Sequence, residues 1–146
     1  MFAGETETEK SYVMKLKLIQ IFPLVFILML AFPVASKSQI PDEIIISLNS
    51  GNAKSLSDYF NQTVELVILE TDNVYSKAQA QQIVGKFFSD YQPEKFEILH
   101  QGGPENAKYV IGNLKTQKGT FRVYFLLKQD SNGKSFIHQL RIETQK

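Results

Sequence analysis

One stretch has a helical period in a chain whose second half otherwise alternates like strands. Residues 76–91 (SKAQAQQIVGKFFSDY) place Ala80, Ile83, Val84, Phe87, Phe88 and Tyr91 three and four apart, on one face of a helix. Ser76 reads as its N-cap, with Gln79 three residues on to complete a capping box. A sheet with one apolar face needs an apolar element against it. This helix is therefore what the rest of the chain wraps.

Beyond Pro93 four runs of period two follow, at residues 94–101, 107–115, 120–128 and 135–143. They are separated by short turns containing Gly102 and Gly103, Gly119, and the Asn132-Gly133 pair, a strong hairpin signal. Short connections imply an antiparallel meander. In the third run Phe121, Val123, Phe125 and Leu127 make the more continuous apolar row, so that face is expected inward against Ile83, Phe87 and Phe88. Arg122, Tyr124 and Leu126 then point outward. In the last run the inward row reads Phe136, His138, Leu140 and Ile142, with Ile137, Gln139 and Arg141 outward.

Ahead of the central helix, Pro41, Asp42 and Glu43 suit a first helical turn, where carboxylates meet the positive end of the dipole. Ile44, Ile45 and Leu48 give that helix its apolar stripe, and Gly51 its stop. Asn52 caps a second short helix expected to run to Phe60, the two helices together forming a lid. From Thr63 a strand alternates Val64, Leu66 and Ile68 against Glu65, Val67 and Leu69. Residues 70–73 then read as a turn, with Val74 and Tyr75 as a short return strand.

The first 38 residues have a different character. Residues 14–38 read as a signal peptide: Lys15 and Lys17 form a basic start, residues 18–32 an apolar core, and residues 34–38 a small-residue end. Cleavage after Ser38 leaves Gln39 as the new terminus; the alternative is an anchor that is never cleaved. Residues 1–13 read as an over-extended start without structure, leaving residues 39–146 as one domain. That domain carries 12 Lys+Arg and 12 Asp+Glu, the whole chain's 16 and 15 less Lys10, Lys15, Lys17, Lys37 and Glu5, Glu7, Glu9. With no net charge and no basic run, nucleic acid is excluded as the expected partner. Absence of Cys excludes a disulfide framework and thiol catalysis. Only His100 and His138 offer nitrogen ligands, so no metal or other cofactor is expected.

The order of elements, carried by SLNSGNAKSLSDYF (47–60), VELVILETDNVYSKAQAQQIVGKFF (64–88) and the terminal FIHQLRIE, resembles the nuclear transport factor 2-like superfamily, also called ketosteroid-isomerase-like or cystatin-like. A leader followed by this domain and little else resembles the secreted bacterial family called domain of unknown function 4783. The resemblance implies an α+β fold in which a curved antiparallel sheet forms a cone around the central helix, behind two N-terminal helices. It also implies that the cone's interior is where enzymes of the superfamily place their ionisable groups, and that sheet-to-sheet dimers are common.

Two candidate sites follow. The candidate pocket inside the cone comprises His138, Phe121, Phe125, Phe87, Phe88 and Ile83, where burial would shift the imidazole. No carboxylate shares His138's row. Glu70 and Asp72, two apart in a turn, are explained by solvation and turn bonding. The candidate dimer face comprises Tyr109, Ile111, Tyr124, Leu126 and Ile137, an extensive apolar patch that either a second copy packed sheet to sheet or the first helix and the chain's own curl would cover. The sequence carries no catalytic signature. It reads as a secreted or periplasmic, non-catalytic binding or assembly module for a small apolar ligand or a protein partner, a second copy included, away from the membrane once the leader is cleaved. The alternative is a small isomerase, dehydratase or hydrolase working inside the cone.

Overall fold

The computed structural model describes residues 10–12, 14–16 and 40–145. The chain divides into two units, Met1–Lys37 and Ser38–Lys146. In the first, residues 10–12 and 14–16 are helical, where the sequence suggested no structure before Met14. The apolar core of the expected leader and its cleavage site lie outside the described residues. Among the described residues no helix is long and apolar enough to cross a membrane.

The second unit opens with α1 (Asp42–Ser50), entered through Pro41 and closed by Gly51 at φ 66°. The Asn52 side chain accepts a hydrogen bond from the Ser55 N–H at 3.0 Å and starts α2 (Ala53–Ser57). That helix is shorter than its apolar pattern suggested. Phe60 instead begins β1 (Phe60–Ile68), because pairing with Ile137 satisfies the backbone there and leaves the ring 1% exposed. The turn expected over residues 70–73 is also shorter. Leu69 and Glu70 alone make it, with Leu69 at φ 56°. Asp72 and Asn73 already stand in β2 (Thr71–Ser76), opposite Val67 and Leu66.

The central helix is α3 (Lys77–Tyr91), and its capping box is complete: the Ser76 Oγ accepts from the Gln79 N–H at 3.3 Å, and Gln79 Oε1 from the Ser76 N–H at 3.2 Å. It ends where Gln92 turns left-handed, φ 51°, before Pro93; the residue before a proline disfavours helix. Ala80, Val84, Phe87 and Phe88 are buried, and Ile83 and Tyr91 border the core.

Then come β3 (Pro93–Gly102), β4 (Ala107–Thr116), β5 (Gly119–Gln129) and β6 (Ser135–Thr144), an antiparallel meander. The sheet is six-stranded, curved and unclosed, in the order β2-β1-β6-β5-β4-β3. The meander therefore returns its last strand beside the first, and β1–β6 is a parallel pairing inside an otherwise antiparallel sheet. The fold is the expected α+β one, with the inner sheet face, α3 and Ile44, Leu48 and Leu56 of the two short helices sharing one core.

In β6 the expected alternation fails. Register shifts between Leu126 and Leu127, so that Gln139 stands opposite the first and Ile137 opposite the second, leaving His138 as the extra residue of a bulge. Strict alternation would bury either Ile137 or the pair Leu140 and Ile142. The bulge buries all three, each at 1% exposure or less, which is worth roughly 2 kcal/mol for the additional side chain. Phe136 consequently leaves the inward row and pairs with Lys128, with the Lys134 ammonium 5.1 Å from its ring.

Candidate functional site

The structure places the six pocket candidates in two locations. Phe87 meets Phe121 edge-on, ring centroids 5.1 Å apart, and Tyr91 stacks on Phe87 at 4.6 Å while also meeting Phe121 at 4.8 Å. Phe88 lies 6.1 Å from Phe87, and Phe125 is fully buried two rows along β5, beyond Val123. These rings pack on one another in the core, with Ile83 at its border. His138 is not among them. It stands level with Leu126 and Leu127, six strand residues, or about 20 Å, from Phe121. Partial burial, and then the nearby Lys128 ammonium, lower the His138 pKa below the ordinary imidazole value. Among the described residues no carboxylate, the partner that would orient an imidazole for acid–base work, is hydrogen-bonded to His138. Glu70 and Asp72 do not converge on it either, one lying in the β1–β2 loop and the other in β2. Among the described residues no three His, Cys, Asp or Glu side chains cluster as metal ligands would.

The outer face is better organised. Tyr109 stands directly opposite Leu126, and Ile111 opposite Tyr124, so two tyrosines occupy one diagonal of a four-residue square and two aliphatics the other. All four are half-buried. The two rings lie 6.3 Å apart with planes only 27° from parallel. Tyr109 lies close over Gly102, its cross-strand neighbour: a Cβ there would meet the phenol oxygen at 2.9 Å. Its hydroxyl also lies 3.0 Å from His100 Nε2. Ile137, the fifth candidate for this face, is corrected by the bulge and belongs to the core.

Toward β6 and β1 the same face turns polar. Gln139 Nε2 donates to Glu65 Oε1 at 2.6 Å, and Arg141 makes a paired contact to Glu143, Nη2 to Oε1 at 3.2 Å and Nε to Oε2 at 3.4 Å. This ion pair raises the Arg141 pKa. The sequence pointed to Tyr109 but not to its support by Gly102 and His100. Only the register between β3 and β4, altered by a shift between Ile98 and His100, brings those residues beneath and beside it.

A helix-backed, open curved sheet of this order defines the cystatin-like or nuclear transport factor 2-like class. A cystatin-like domain from Nostoc punctiforme matches the fold at a TM-score of 0.58 and 11% identity, over 72% of each chain. Within that class the chain belongs to the family described as Domain of unknown function (DUF4783), whose model matches residues 41–143. Two solved members are similar to it at 31% identity and a TM-score of 0.70. The one from Bacteroides ovatus covers 75% of this chain and 98% of its own, and the one from Bacteroides uniformis 74% and 99%. Among the curated proteins none matches the chain.

Proposed function

We propose that the chain is a non-catalytic binding module, exported by its leader, that pairs with a second copy of itself through the outer sheet face. The observation that carries this reading is the square of Tyr109, Leu126, Ile111 and Tyr124. When two such squares meet across a two-fold axis lying along the strands or across them, each tyrosine faces an aliphatic side chain of the other copy. An isologous interface requires that kind of self-complementarity. The size is also adequate. Four strands of ten or eleven residues span roughly 33 by 19 Å, so two copies would bury about 1,200 Å², at the lower bound of a stable interface. The polar flank of Glu65, Gln139, Arg141 and Glu143 supplies the rim.

The ring-on-ring packing of Phe87, Tyr91 and Phe121 and the separation of His138 from it support a structural cone rather than a reaction chamber. The test is native mass spectrometry of the protein recovered from a secreting host. The expected species is a dimer that Tyr124→Asp and Leu126→Asp convert to folded monomer. A wild-type protein that stays monomeric at tens of micromolar, or a dimer that survives both substitutions, sinks the reading.

A further inference from the structure

The turn between β5 and β6 places a reactive pair of residues in water. Asn132 is the one Asn of the chain that is followed by Gly. In such a pair no side chain on the second residue hinders the approach of its backbone nitrogen to the Asn carboxamide. Residues 130–134 are all exposed, and a Cβ built on Gly133, at φ 79°, would meet nothing within 4 Å. Water therefore reaches both groups.

One residue nonetheless holds the turn closed. Asp130 accepts from three consecutive N–H groups: its Oδ1 from Asn132 and from Lys134, each at 2.9 Å, and its carbonyl oxygen from Gly133 at 3.0 Å. Its own N–H donates to the Lys134 carbonyl at 2.9 Å. An Asp at the start of a turn binds the backbone ahead of it in this way. The Gly133 N–H, whose nitrogen would attack the Asn132 carboxamide, is thus already engaged, and the amides on either side of it share one carboxylate oxygen. That nitrogen is free to react only when the clasp opens.

We infer that Asn132 is a site of spontaneous deamidation and that Asp130 sets its rate. Water is the only co-reactant. The Gly133 nitrogen gives up its proton to solvent and bonds to Asn132 Cγ, the bond from Cγ to Nδ2 breaks, and Nδ2 takes up a proton and leaves as ammonia. Water then opens the resulting cyclic imide at one of its two carbonyl carbons, giving either Asp or isoaspartate with no change of oxidation state. The product adds a negative charge to a turn whose one cation is Lys134, and isoaspartate also lengthens the main chain there. In the folded protein the reaction proceeds through local opening, so its rate follows the stability of the clasp and not that of the whole domain.

The experiment holds the protein, recovered folded from a secreting host, in warm and mildly alkaline buffer, and follows the tryptic peptide 129–134 (QDSNGK) by mass spectrometry with fragmentation. Asn132 is expected to convert ahead of every other Asn, and about tenfold or more slowly in the folded protein than in the urea-unfolded one. Asp130→Ala should bring the folded rate to within about threefold of the unfolded rate. Asp130→Ser, which keeps a weaker acceptor, should fall between wild type and Asp130→Ala. The melting transition of each variant, recorded on the same samples, shows that the domain is folded. An Asn elsewhere that converts first overturns the inference. So does a folded wild-type protein that reacts as fast as an unfolded one, or a rate that neither substitution at Asp130 raises.

Discussion

Strands β4 and β5 present apolar rows on both faces, and the two rows end differently. On the inner face Val110, Leu114, Phe121, Val123, Phe125 and Leu127 are buried against α3 and its neighbours. On the outer face Tyr109, Ile111, Tyr124 and Leu126 remain half in solvent. These six inner side chains are hydrocarbon, and the one buried hydroxyl that follows them, Thr116, donates to the Gly119 carbonyl at 2.7 Å, whereas two of the four outer groups carry a hydroxyl that tolerates water. Hydrophobicity alone therefore does not tell the rows apart. The inner one is built for a permanently dry core, and the outer one for a surface that can be wet or covered.

Adjacent residues on β5 test that difference most strongly. Phe125→Ala removes a fully buried ring and should cost about 3–5 kcal/mol of unfolding free energy. Tyr124→Ala, one residue away on the other face, should cost about 1 kcal/mol or less in the monomer. Urea unfolding of both variants, at a concentration low enough to dissociate any dimer, checks the contrast. Equal losses would mean that the outer face is as much core as the inner one.

Two glycines sharpen the comparison at a smaller scale, because each lies under an aromatic ring on a different face. A Cβ at Gly112 would collide with the Phe96 ring and approach the Glu97 carbonyl oxygen to 2.5 Å. The backbone cannot yield cheaply, so Gly112→Ala should cost about 1–3 kcal/mol. A Cβ at Gly102 meets only the far end of the Tyr109 side chain, which can swing aside. Gly102→Ala should therefore cost under about 1 kcal/mol while displacing the phenol from His100. The change should appear in the His100 ring resonances. A stability loss at Gly102 as large as that at Gly112 would show that the outer ring is held as rigidly as the inner one.

How much of this was legible in the sequence follows from which interactions are local. The capping box of α3, the Gly51 stop, the hairpin at Asn132-Gly133 and the inward row of β5 depend on residues a few positions apart. All of these are found as read. The overestimates have long-range causes. Helix α2 stops early because Phe60 finds Ile137 more than seventy residues away, and the expected four-residue turn shrinks because Asp72 and Asn73 find partners on β1. The bulge at His138 was hidden for a related reason. Phe136 and Ile137 are adjacent and both apolar, so periodicity allows either to be inward, and only the register against Leu126 and Leu127 decides. That single extra residue removed His138 from the inward row and Ile137 from the outward one.

The bulge also supports the smallest of the expected effects. Partial burial, then the charge of Lys128, lower the His138 pKa in the folded state below the ordinary value of 6.5. The unfolded chain therefore takes up this proton first as the pH falls. Stability from this residue is fully present above the unfolded pKa, and it is lost progressively below it until the native imidazole protonates as well. Carboxylates titrate mainly below about pH 5, so the window in which His138 can be seen runs from roughly pH 7 to pH 5. Across it the wild-type urea midpoint should fall slightly, and His138→Asn should make that fall shallower without lowering the midpoint at pH 7 by much. An unchanged slope would mean that the bulge holds His138 as freely solvated as an outer-face residue, placing it wholly on the wet side of the sheet.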